Sequence, residues 1–265
     1  MKILIYKIQI ILVEIFRRLI FAPKIKNIIK EKALKIVQDK YENVISFGPF
    51  SGMKLSKNPW WGSYDQTSKI LGEYEKEVLD KLIYFLSLSK NSTFIDIGAA
   101  DGFYAVGVAF KNLADHIYAF EISSQGRSEL KKNAILNQCD DKITILDRAN
   151  LDTLKKIFKE LKNVVVIIDI EGNEYDLLDI GVLELLINSY VIIELHPNKI
   201  KNGKIKESKL IKNAENFFKI SKIYRESYNP NSFKIFNNLS DDERLLALSE
   251  GRSSNPKWLV LEPKN

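Results

Sequence analysis

The chain of 265 residues has few cysteines and histidines, the residues that form disulfides and common metal sites. Its single cysteine, Cys139, cannot form an internal disulfide, and this usage is typical of a reducing compartment such as the cytoplasm. The two histidines, His116 and His196, are too few for a zinc site built mainly from histidine. We therefore expect a cytoplasmic protein whose core is held together by apolar packing.

A long uninterrupted apolar run is missing as well. Residues 3–21 are strongly apolar, but Lys7, Glu14 and Arg18 recur on one side at helical spacing. A membrane-spanning helix needs about 20 predominantly apolar residues. We predict an amphipathic helix that ends at Pro23, and a second helix over 25–41. The apolar side of that second helix consists of Ile25, Ile28, Ile29, Ile36 and Val37.

These two helices form a predicted helical arm, residues 1–45, in front of a domain over residues 46–265. Ten basic and four acidic residues occur up to Ser46, so the arm carries a surplus equal to the whole net charge of +6. The domain is close to neutral, which is untypical of a nucleic-acid-binding core. The arm either packs on its own domain or on a second copy in a homo-oligomer, or it contacts anionic lipid at the inner membrane face.

From residue 93 onward, short apolar runs alternate with helical stretches. This alternation predicts an α/β fold with a doubly wound, mostly parallel sheet. Strands are predicted at 94–97, 116–120, 143–146, 164–168 and 190–194, and helices at 74–86, 124–137, 151–162 and 175–187. Residues 46–64 are rich in turn formers and predict short strands and loops, and residues 257–261 predict a last, antiparallel strand.

The first predicted strand leads into a glycine-containing loop that has the features of a cofactor site. Gly98 allows a tight turn, and Gly102 precedes the next helix, whose first N–H groups are unpaired. Asp96 at the strand end can pair with a cationic ammonium group. Glu121 ends the second strand, where its carboxylate can accept hydrogen bonds from both hydroxyls of a ribose.

The glycine spacing and the charge of this loop distinguish between two nucleoside cofactors. A dinucleotide-binding loop has the pattern G-x-G-x-x-G, so that a pyrophosphate can approach the helix N-terminus. Here Ala100 and Phe103 occupy the second and third glycine positions, and Asp96 and Asp101 would repel a pyrophosphate. S-adenosylmethionine (SAM), which has a positive sulfonium and no phosphate, fits this loop better. The predicted cofactor-binding residues are Asp96, Gly98, Ala99, Ala100, Asp101, Gly102, Phe103, Tyr104, Glu121, Ile122, Asp147 and Arg148.

Within that set, Asp147 and Arg148 follow the third strand, from which they can reach an adenine. Asp147 can equally cap the helix that begins near Leu151. The aromatic residues Trp60, Trp61 and Tyr64 are predicted to form a substrate lid, because aromatic faces stack on sugars. Core packing is the alternative for these three side chains.

A second acidic motif follows the fourth strand. Asp169, Glu171 and Glu174 lie there, and the fifth strand ends in Glu194-Leu195-His196. Since carboxyl ends of parallel strands meet at one edge of a sheet, we expect these groups to converge beside the transferred methyl group. The predicted catalytic residues are Asp169, Glu171 and His196, and Asp169 with Glu194 is a predicted site for a divalent cation such as Mg²⁺.

At this point the sequence resembles the FkbM-type SAM-dependent methyltransferases over roughly residues 46–200. The resemblance lies in GPFSGMKL (48–55), LGEYEKEV (71–78), FIDIGAADGFYAV (94–106), IYAFEI (117–122), IDIEGNEYDLL (168–178) and VIIELHP (191–197). The loop departs from the family pattern at Ala100, where asparagine is expected. The resemblance implies a class I SAM methyltransferase fold, which is Rossmann-like with a seven-stranded sheet, and O-methylation of a sugar, glycan or related natural product.

Methyl transfer to a hydroxyl needs an oxygen, a methyl group and a sulfur held in line, and it needs removal of the hydroxyl proton. His196 or a carboxylate can take that proton, or a cation on Asp169 and Glu194 can lower the hydroxyl pKa. The expected partner is a sugar, a glycan or a lipid-linked sugar. Two rival functions are a nicotinamide-dependent oxidoreductase and a non-catalytic module of the same fold that acts through its basic arm.

Overall fold

The protein is described by a computed structural model that covers Gln9, Ile11, Leu12 and residues 22–57, 59–88, 92–159, 161–226, 228–252 and 255–264. The helix predicted over residues 3–21 falls outside these ranges except at its three described residues, so it stays a prediction. Among the described residues, no helix combines the length and the apolar composition needed to cross a lipid bilayer.

A seven-stranded sheet forms the centre of the molecule, with strand order β3-β2-β1-β4-β5-β7-β6. Its strands are β1 Thr93–Ile97, β2 His116–Phe120, β3 Ile143–Leu146, β4 Val164–Ile168, β5 Tyr190–Glu194, β6 Phe218–Tyr224 and β7 Lys257–Pro263. Strands β1 to β5 pair in parallel, and β7 runs antiparallel to both β5 and β6. The predicted fold class is therefore confirmed: this is the doubly wound, mostly parallel sheet of the class I methyltransferase fold.

Ten α-helices in the described residues flank the sheet or extend one of its ends. They are α1 Ala22–Tyr41, α2 Gln66–Ile70, α3 Lys76–Ser87, α4 Phe103–Phe110, α5 Ser124–Leu136, α6 Leu151–Phe158, α7 Glu174–Leu177, α8 Ile180–Leu185, α9 Gly203–Ala214 and α10 Asp241–Leu248. Helices α3, α4 and α5 cover one face of the sheet, and α6, α8 and α9 cover the other. In β4, Val165 and Ile167 point to the first face, whereas Val164, Val166 and Ile168 point to the second. Burial on both faces explains why this strand is apolar throughout.

The edge strand β6 was not predicted from the sequence. Of its seven residues, FKISKIY, only Phe218 is buried, and Ile220 and Ile223 are partly buried against the core. It pairs along its whole length with β7, from Phe218 opposite Pro263 to Tyr224 opposite Lys257. The lysines and the serine at Lys219, Ser221 and Lys222 interrupt its apolar residues, so it lacks the continuous apolar run of the central strands.

Three predicted local structures were wrong. The continuous helix over 175–187 is split into α7 and α8, because the Asp179 side chain accepts the Val182 N–H at 2.9 Å and starts a new helix. Helix α6 ends at Phe158 instead of residue 162. The described residues of 46–64, all except residue 58, form turns and no strand, and Lys54 makes only an isolated bridge with Val44.

Helix α1 packs against α10 and α2 at one end of the molecule. Ala33 and Val37 are fully buried there against Ala247 and Leu248. Ile28, predicted on the apolar side, is 63% exposed, whereas the predicted Ile36 and Val37 pack in this cluster. Pro23 is the second residue of α1, where its missing N–H leaves no helical hydrogen bond unmade. The predicted end of the preceding helix at Pro23 involves residues outside the described ranges and stays a prediction.

The side chain of Lys30 in α1 donates a hydrogen bond to the backbone oxygen of Ser249. Burial, followed by the nearby charge of Lys26, lowers the pKa of Lys30 to about 8. This contact ties α1 to the segment over residues 249–252, which leads from α10 toward the carboxyl edge of the sheet.

Candidate functional site

A large cavity of about 1040 Å³ opens at the carboxyl ends of β1, β2, β4 and β5. Its volume is at the upper end of the range for small-molecule sites, so it has room for a cofactor and an acceptor together. Every residue predicted for the site lines this cavity except Gly102. The lining residues from the prediction are Trp60, Trp61, Tyr64, Asp96, Gly98, Ala99, Ala100, Asp101, Phe103, Tyr104, Glu121, Ile122, Asp147, Arg148, Asp169, Glu171, Glu194 and His196.

The loop after β1 is shaped by two residues with left-handed backbone conformations. Gly98 has a φ of +94°, and a Cβ there would overlap the carbonyl oxygen of Asp169. Ala100 has a φ of +49°, which is unusual for alanine. Asparagine tolerates this conformation better, which is a physical reason for the family pattern to have asparagine at this position.

Glu121 holds this loop from the neighbouring strand end. Its Oε2 accepts the Ala100 N–H at 2.9 Å and its Oε1 accepts the Ser123 N–H at 2.7 Å. The residue is 7% exposed and lines the cavity. Each carboxylate oxygen has two acceptor positions, so both can still receive a hydrogen bond from a ligand hydroxyl.

Asp96 lies deeper in the same cavity and is 3% exposed. Its Oδ2 accepts the Ala105 N–H at 3.1 Å, in the first turn of α4. Burial raises the pKa of this carboxyl to about 8, and the charges of Asp169, Glu121 and Asp101 act in the same direction. A cationic ligand group beside Asp96 would offset that penalty and ionise the carboxyl.

Gly102, predicted to contact the cofactor, does not line the cavity. It is the N-terminal cap of α4 with a φ of +90°, and a Cβ would lie 2.7 Å from Leu130 Cγ. Its role is the close packing of α4 on α5. The following residues do face the cavity, and Tyr104 donates a hydrogen bond from its hydroxyl to Glu75 Oε2.

The third strand contributes an exposed rim to the cavity. The side chain of Asp147 is 70% exposed and pairs with Arg127 Nη1 at 3.2 Å. Asn150, and not Asp147, caps α6 by accepting the Thr153 N–H at 2.9 Å. Ile122 is 62% exposed on the same rim, which leaves an apolar surface beside Glu121.

The aromatic residues of the predicted lid lie at two places on the cavity rim. The rings of Trp60 and Trp61 are 4.6 Å apart between centroids. A Cβ on Gly126 would lie 2.9 Å from Trp60 and 2.8 Å from Glu121 Cγ, so Trp60 lies close to the acid predicted for the ribose. Tyr64 instead donates a hydrogen bond to Asn27 of α1 and lies next to Gly251. Part of the predicted substrate lid therefore lies at the Glu121 side of the cavity.

The second acidic motif and the end of β5 meet at His196. The imidazole is 9% exposed, and its Nε2 lies 3.6 Å from Asp169 Oδ1, 3.5 Å from Glu171 Oε2 and 3.6 Å from Glu194 Oε1. The Nδ1 atom lies 3.4 Å from Glu174 Oε1. The structure thus brings together the side chains that the sequence analysis expected beside the transferred methyl group.

Glu174 serves to fix this cluster and does not face a ligand. It is fully buried, and its two oxygens accept the Gly172 N–H at 2.8 Å and the His196 N–H at 2.7 Å. These bonds join the loop after β4 to the residue that follows β5. Glu171, in contrast, has a φ of +58° and a side chain that is 53% exposed and pairs with Lys199.

Burial is the largest influence on the pKa values of the two acids Asp169 and Glu194. It raises the pKa of Asp169, and it raises the pKa of Glu194 to about 10 with the help of the Asp169 charge. Burial opposes protonation of His196, but the carboxylates of Glu174 and Asp169 outweigh it and raise the pKa of the imidazole. The cluster is therefore able to hold and exchange a proton near neutral pH.

An ion network beside the cluster was missed by the sequence analysis. Arg252 donates to Glu75, Glu194 and Glu250, so one guanidinium joins three segments of the chain. Glu250 is also paired with Arg225 at 2.8 Å, and burial raises its pKa to about 7. Glu75 lies within a motif that carries the family resemblance, but Arg252 lies beyond residue 200 and no pattern in the sequence marks it.

No protein-family model matches the chain, and no curated protein matches it either. Solved structures of similar fold include a provisionally assigned O-methyltransferase from Klebsiella pneumoniae, with 10% identity, 95% coverage of each chain and a TM-score of 0.49. Precorrin-8w decarboxylase from Methanobacterium thermoautotrophicum has 17% identity over 71% of this chain and 90% of that chain, with a TM-score of 0.46. TrmK from M. capricolum, in complex with S-adenosyl-homocysteine, has 18% identity over 70% of this chain and 68% of that chain, with a TM-score of 0.42. At these values the likeness concerns the fold alone.

Proposed function

We propose that this chain is a SAM-dependent methyltransferase that methylates a hydroxyl group of a sugar, glycan or lipid-linked sugar, as the resemblance to the FkbM-type enzymes implies. The observation that carries the proposal is the charge of the cavity. Its lining includes eleven Asp and Glu side chains, of which several have a raised pKa, and five Lys and Arg side chains. Such a lining suits a cofactor with an ammonium and a sulfonium, and it disfavours one with two phosphates.

The cofactor is oriented by groups at the ends of β1 and β2. Asp96 faces the amino-acid end, where an ammonium can pair with its buried carboxylate. Glu121 faces the ribose, because its oxygens are fixed by the N–H groups of Ala100 and Ser123 and keep acceptor positions toward the cavity. Trp60 and Ile122 supply apolar surface beside Glu121, on which an adenine can rest.

The acceptor hydroxyl is placed on the other side of the cavity, toward His196, Asp169 and Glu194. Methyl transfer moves the methyl carbon from sulfur to oxygen while the hydroxyl loses its proton, and this proton passes to the imidazole or to a carboxylate of the cluster. The side chains of His196 and Glu194 are 9% and 4% exposed, so an acceptor bound against them would displace water from the reacting atoms. Glycan modification at the inner membrane face, with the basic arm as the peripheral contact, remains the proposed setting.

Isothermal calorimetry with SAM, S-adenosyl-homocysteine and NAD tests the cofactor. We expect heat with the first two at micromolar concentration and none with NAD. Replacing Glu121 with alanine should weaken S-adenosyl-homocysteine binding by at least about tenfold, since hydrogen bonds to a charged group contribute about 1.5–3 kcal/mol each. Tight binding of NAD together with no heat from either SAM ligand would overturn the proposal.

Hydroxyl methylation is tested by incubating the protein with methyl-labelled SAM and a panel of glycans, amines and nucleic acids. Label in a base-stable methyl ether of a glycan supports the proposal. Label found only in an amine or in nucleic acid would refute O-methylation and leave the SAM assignment intact.

A further inference from the structure

The separations around His196 are too long for hydrogen bonds and nearly equal. Three carboxylate oxygens, from Asp169, Glu171 and Glu194, lie 3.5–3.6 Å from Nε2. A protonated imidazole would draw one carboxylate to about 2.7–2.9 Å. A divalent cation about 2.1 Å from each of two ligand atoms instead keeps those atoms about 3.0–3.5 Å apart in octahedral or tetrahedral geometry. The observed spacing is close to the second arrangement.

Two buried polar groups in the cluster have no partner among the described residues. Asp169 Oδ1 is inaccessible to solvent and makes no hydrogen bond, and it lies 3.6 Å from Nε2 of His196, whose side chain is 9% exposed. The Nδ1 atom of His196 makes no hydrogen bond either, but it faces Glu174 Oε1 at 3.4 Å and not the space between the other acids. A buried oxygen without a partner is costly, so Asp169 Oδ1 calls for a ligand. His196 Nε2 and the Asp169 carboxylate both point into the space between the three acids.

The other acids of the cluster are already compensated. Glu171 pairs with Lys199, Glu194 pairs with Arg252, and Glu174 accepts two backbone N–H groups. Asp169 has no lysine or arginine partner among the described residues. Within the described residues, Asp169 thus faces only the titratable imidazole of His196, and a bound cation can take the place of the imidazole proton as its counter-charge.

We propose that Asp169, Glu171 and His196 bind a divalent transition-metal cation at the acceptor side of the cavity. One ligand atom from each of the three lies within 4.8 Å of the others. Lys199 is half exposed and can leave Glu171 when the cation binds. The set differs from the Asp169–Glu194 pair predicted from the sequence. Glu194 is held by its ion pair with Arg252, whereas the ion pair of Glu171 with Lys199 is half exposed and more easily exchanged.

The donor types indicate which cation fits. One imidazole with two carboxylates suits Mn²⁺, Fe²⁺ or Zn²⁺, whereas Mg²⁺ prefers oxygen ligands alone and keeps most of its water. Three ligands from the protein also leave coordination positions open for water or an acceptor oxygen. In terms of the proposed function, on which this last step rests, the bound cation would lower the pKa of the acceptor hydroxyl and orient it.

The chain offers a direct test because it has only two histidines. We would strip the full chain with a chelator, label it with ¹⁵N and add Mn²⁺ while recording the imidazole signals of His196 and His116. His116 lies in β2, exposed and outside the cavity, so it is an internal control. Paramagnetic broadening of His196 at substoichiometric Mn²⁺, with His116 unchanged, is the expected result. Equal broadening of both signals, or of neither, would overturn the proposal.

Calorimetry with Mn²⁺ on substituted proteins distinguishes specific binding at the cluster from weak attraction to acidic residues in general. Asp169→Asn should weaken Mn²⁺ binding by more than about tenfold. The matched control Asp176→Asn removes an exposed acid at the cavity rim that pairs with Lys206, and it should bind Mn²⁺ as the wild type does. Equal affinities in the two variants would refute the site. Binding of S-adenosyl-homocysteine by both variants reports an intact fold, and failure of that ligand with Mn²⁺ binding retained would count only against the proposed cofactor.

Discussion

Gly98 lies so close to Asp169 that a single Cβ on the glycine would overlap the carbonyl oxygen of the aspartate and lie 2.8 Å from its carbonyl carbon. The Asp169 N–H also donates to the Ile97 oxygen at 2.9 Å. The loop after β1 and the residue that begins the acidic cluster are therefore fixed to each other through backbone atoms. A change on either side is transmitted directly to the other.

The first prediction follows from that contact. Gly98→Ala should lower the free energy of unfolding by about 3 kcal/mol, because it combines left-handed backbone strain with a backbone clash. Urea denaturation measures the loss. The control is Gly62→Ala, which has a φ of +92° and nothing within 4 Å of the added Cβ. Equal losses in the two variants would show that strain alone matters at Gly98.

The second prediction concerns the left-handed alanine of the same loop. Ala100→Asn should raise the free energy of unfolding by about 1 kcal/mol, because asparagine pays less than alanine for a φ of +49°. Ala100→Val should lower it, since a β-branched residue is least tolerated there. Thermal denaturation of the two variants checks the opposite signs. A stabilising valine would contradict the left-handed conformation.

The third prediction concerns how the protonation of Asp96 changes the stability of the protein with pH. Its pKa in the folded protein is raised to about 8, whereas an unfolded aspartate titrates near 3.9. The stability contribution of this group is complete below the unfolded value and is lost as the pH rises toward 8. Without ligand, Asp96→Asn should therefore gain stability relative to the wild type between about pH 4 and pH 8, as measured by unfolding at several pH values.

Ligand binding should reverse the preference of Asp96 for its protonated form. If the ammonium of S-adenosyl-homocysteine pairs with Asp96, the carboxyl ionises on binding and releases up to one proton per ligand at pH 7. Calorimetry in two buffers with different ionisation enthalpies measures this release. Asp96→Asn should bind more weakly and release fewer protons. An identical proton count in the two proteins would contradict the pairing.

The fourth prediction concerns Arg252. Arg252→Met leaves Glu75 and Glu194 buried without their cation, and it should lower the free energy of unfolding by about 3 kcal/mol. Lys206→Met breaks the exposed pair with Asp176 and should cost less than about 1 kcal/mol. Urea denaturation at pH 7 compares them. Similar losses in both would mean that the Arg252 network contributes no more than a surface pair.

The sequence predicted those parts of the site that follow from strand ends. Asp96, Glu121 and Asp169 each end or follow an apolar strand, and parallel strands bring such ends to one edge of the sheet. The composition of β4, apolar in all five residues, was enough to place it inside the sheet. Roles at these positions as ligands remain predictions.

Other parts could not be predicted, because their signal lies in the three-dimensional packing. Gly102 belongs to a glycine pattern, yet it contacts Leu130 and not the cavity. Arg252 reaches Glu75 across 177 positions in the chain, and an isolated arginine in a polar stretch has no local periodicity. Strand β6 lies at the edge of the sheet and buries only Phe218 fully, so it has no continuous apolar run that marks it in the sequence.

The position of β7 has a consequence for how the chain assembles as it is made. This strand lies between β5 and β6, although its residues are synthesised after both of them. Until residues 257–263 leave the ribosome, β5 has an open edge toward that side and β6 has no neighbour at all, a state that invites pairing with other nascent chains. Arg252 is also synthesised late, after Glu75 and Glu194. These two acids therefore have no arginine partner from this network until the end of translation.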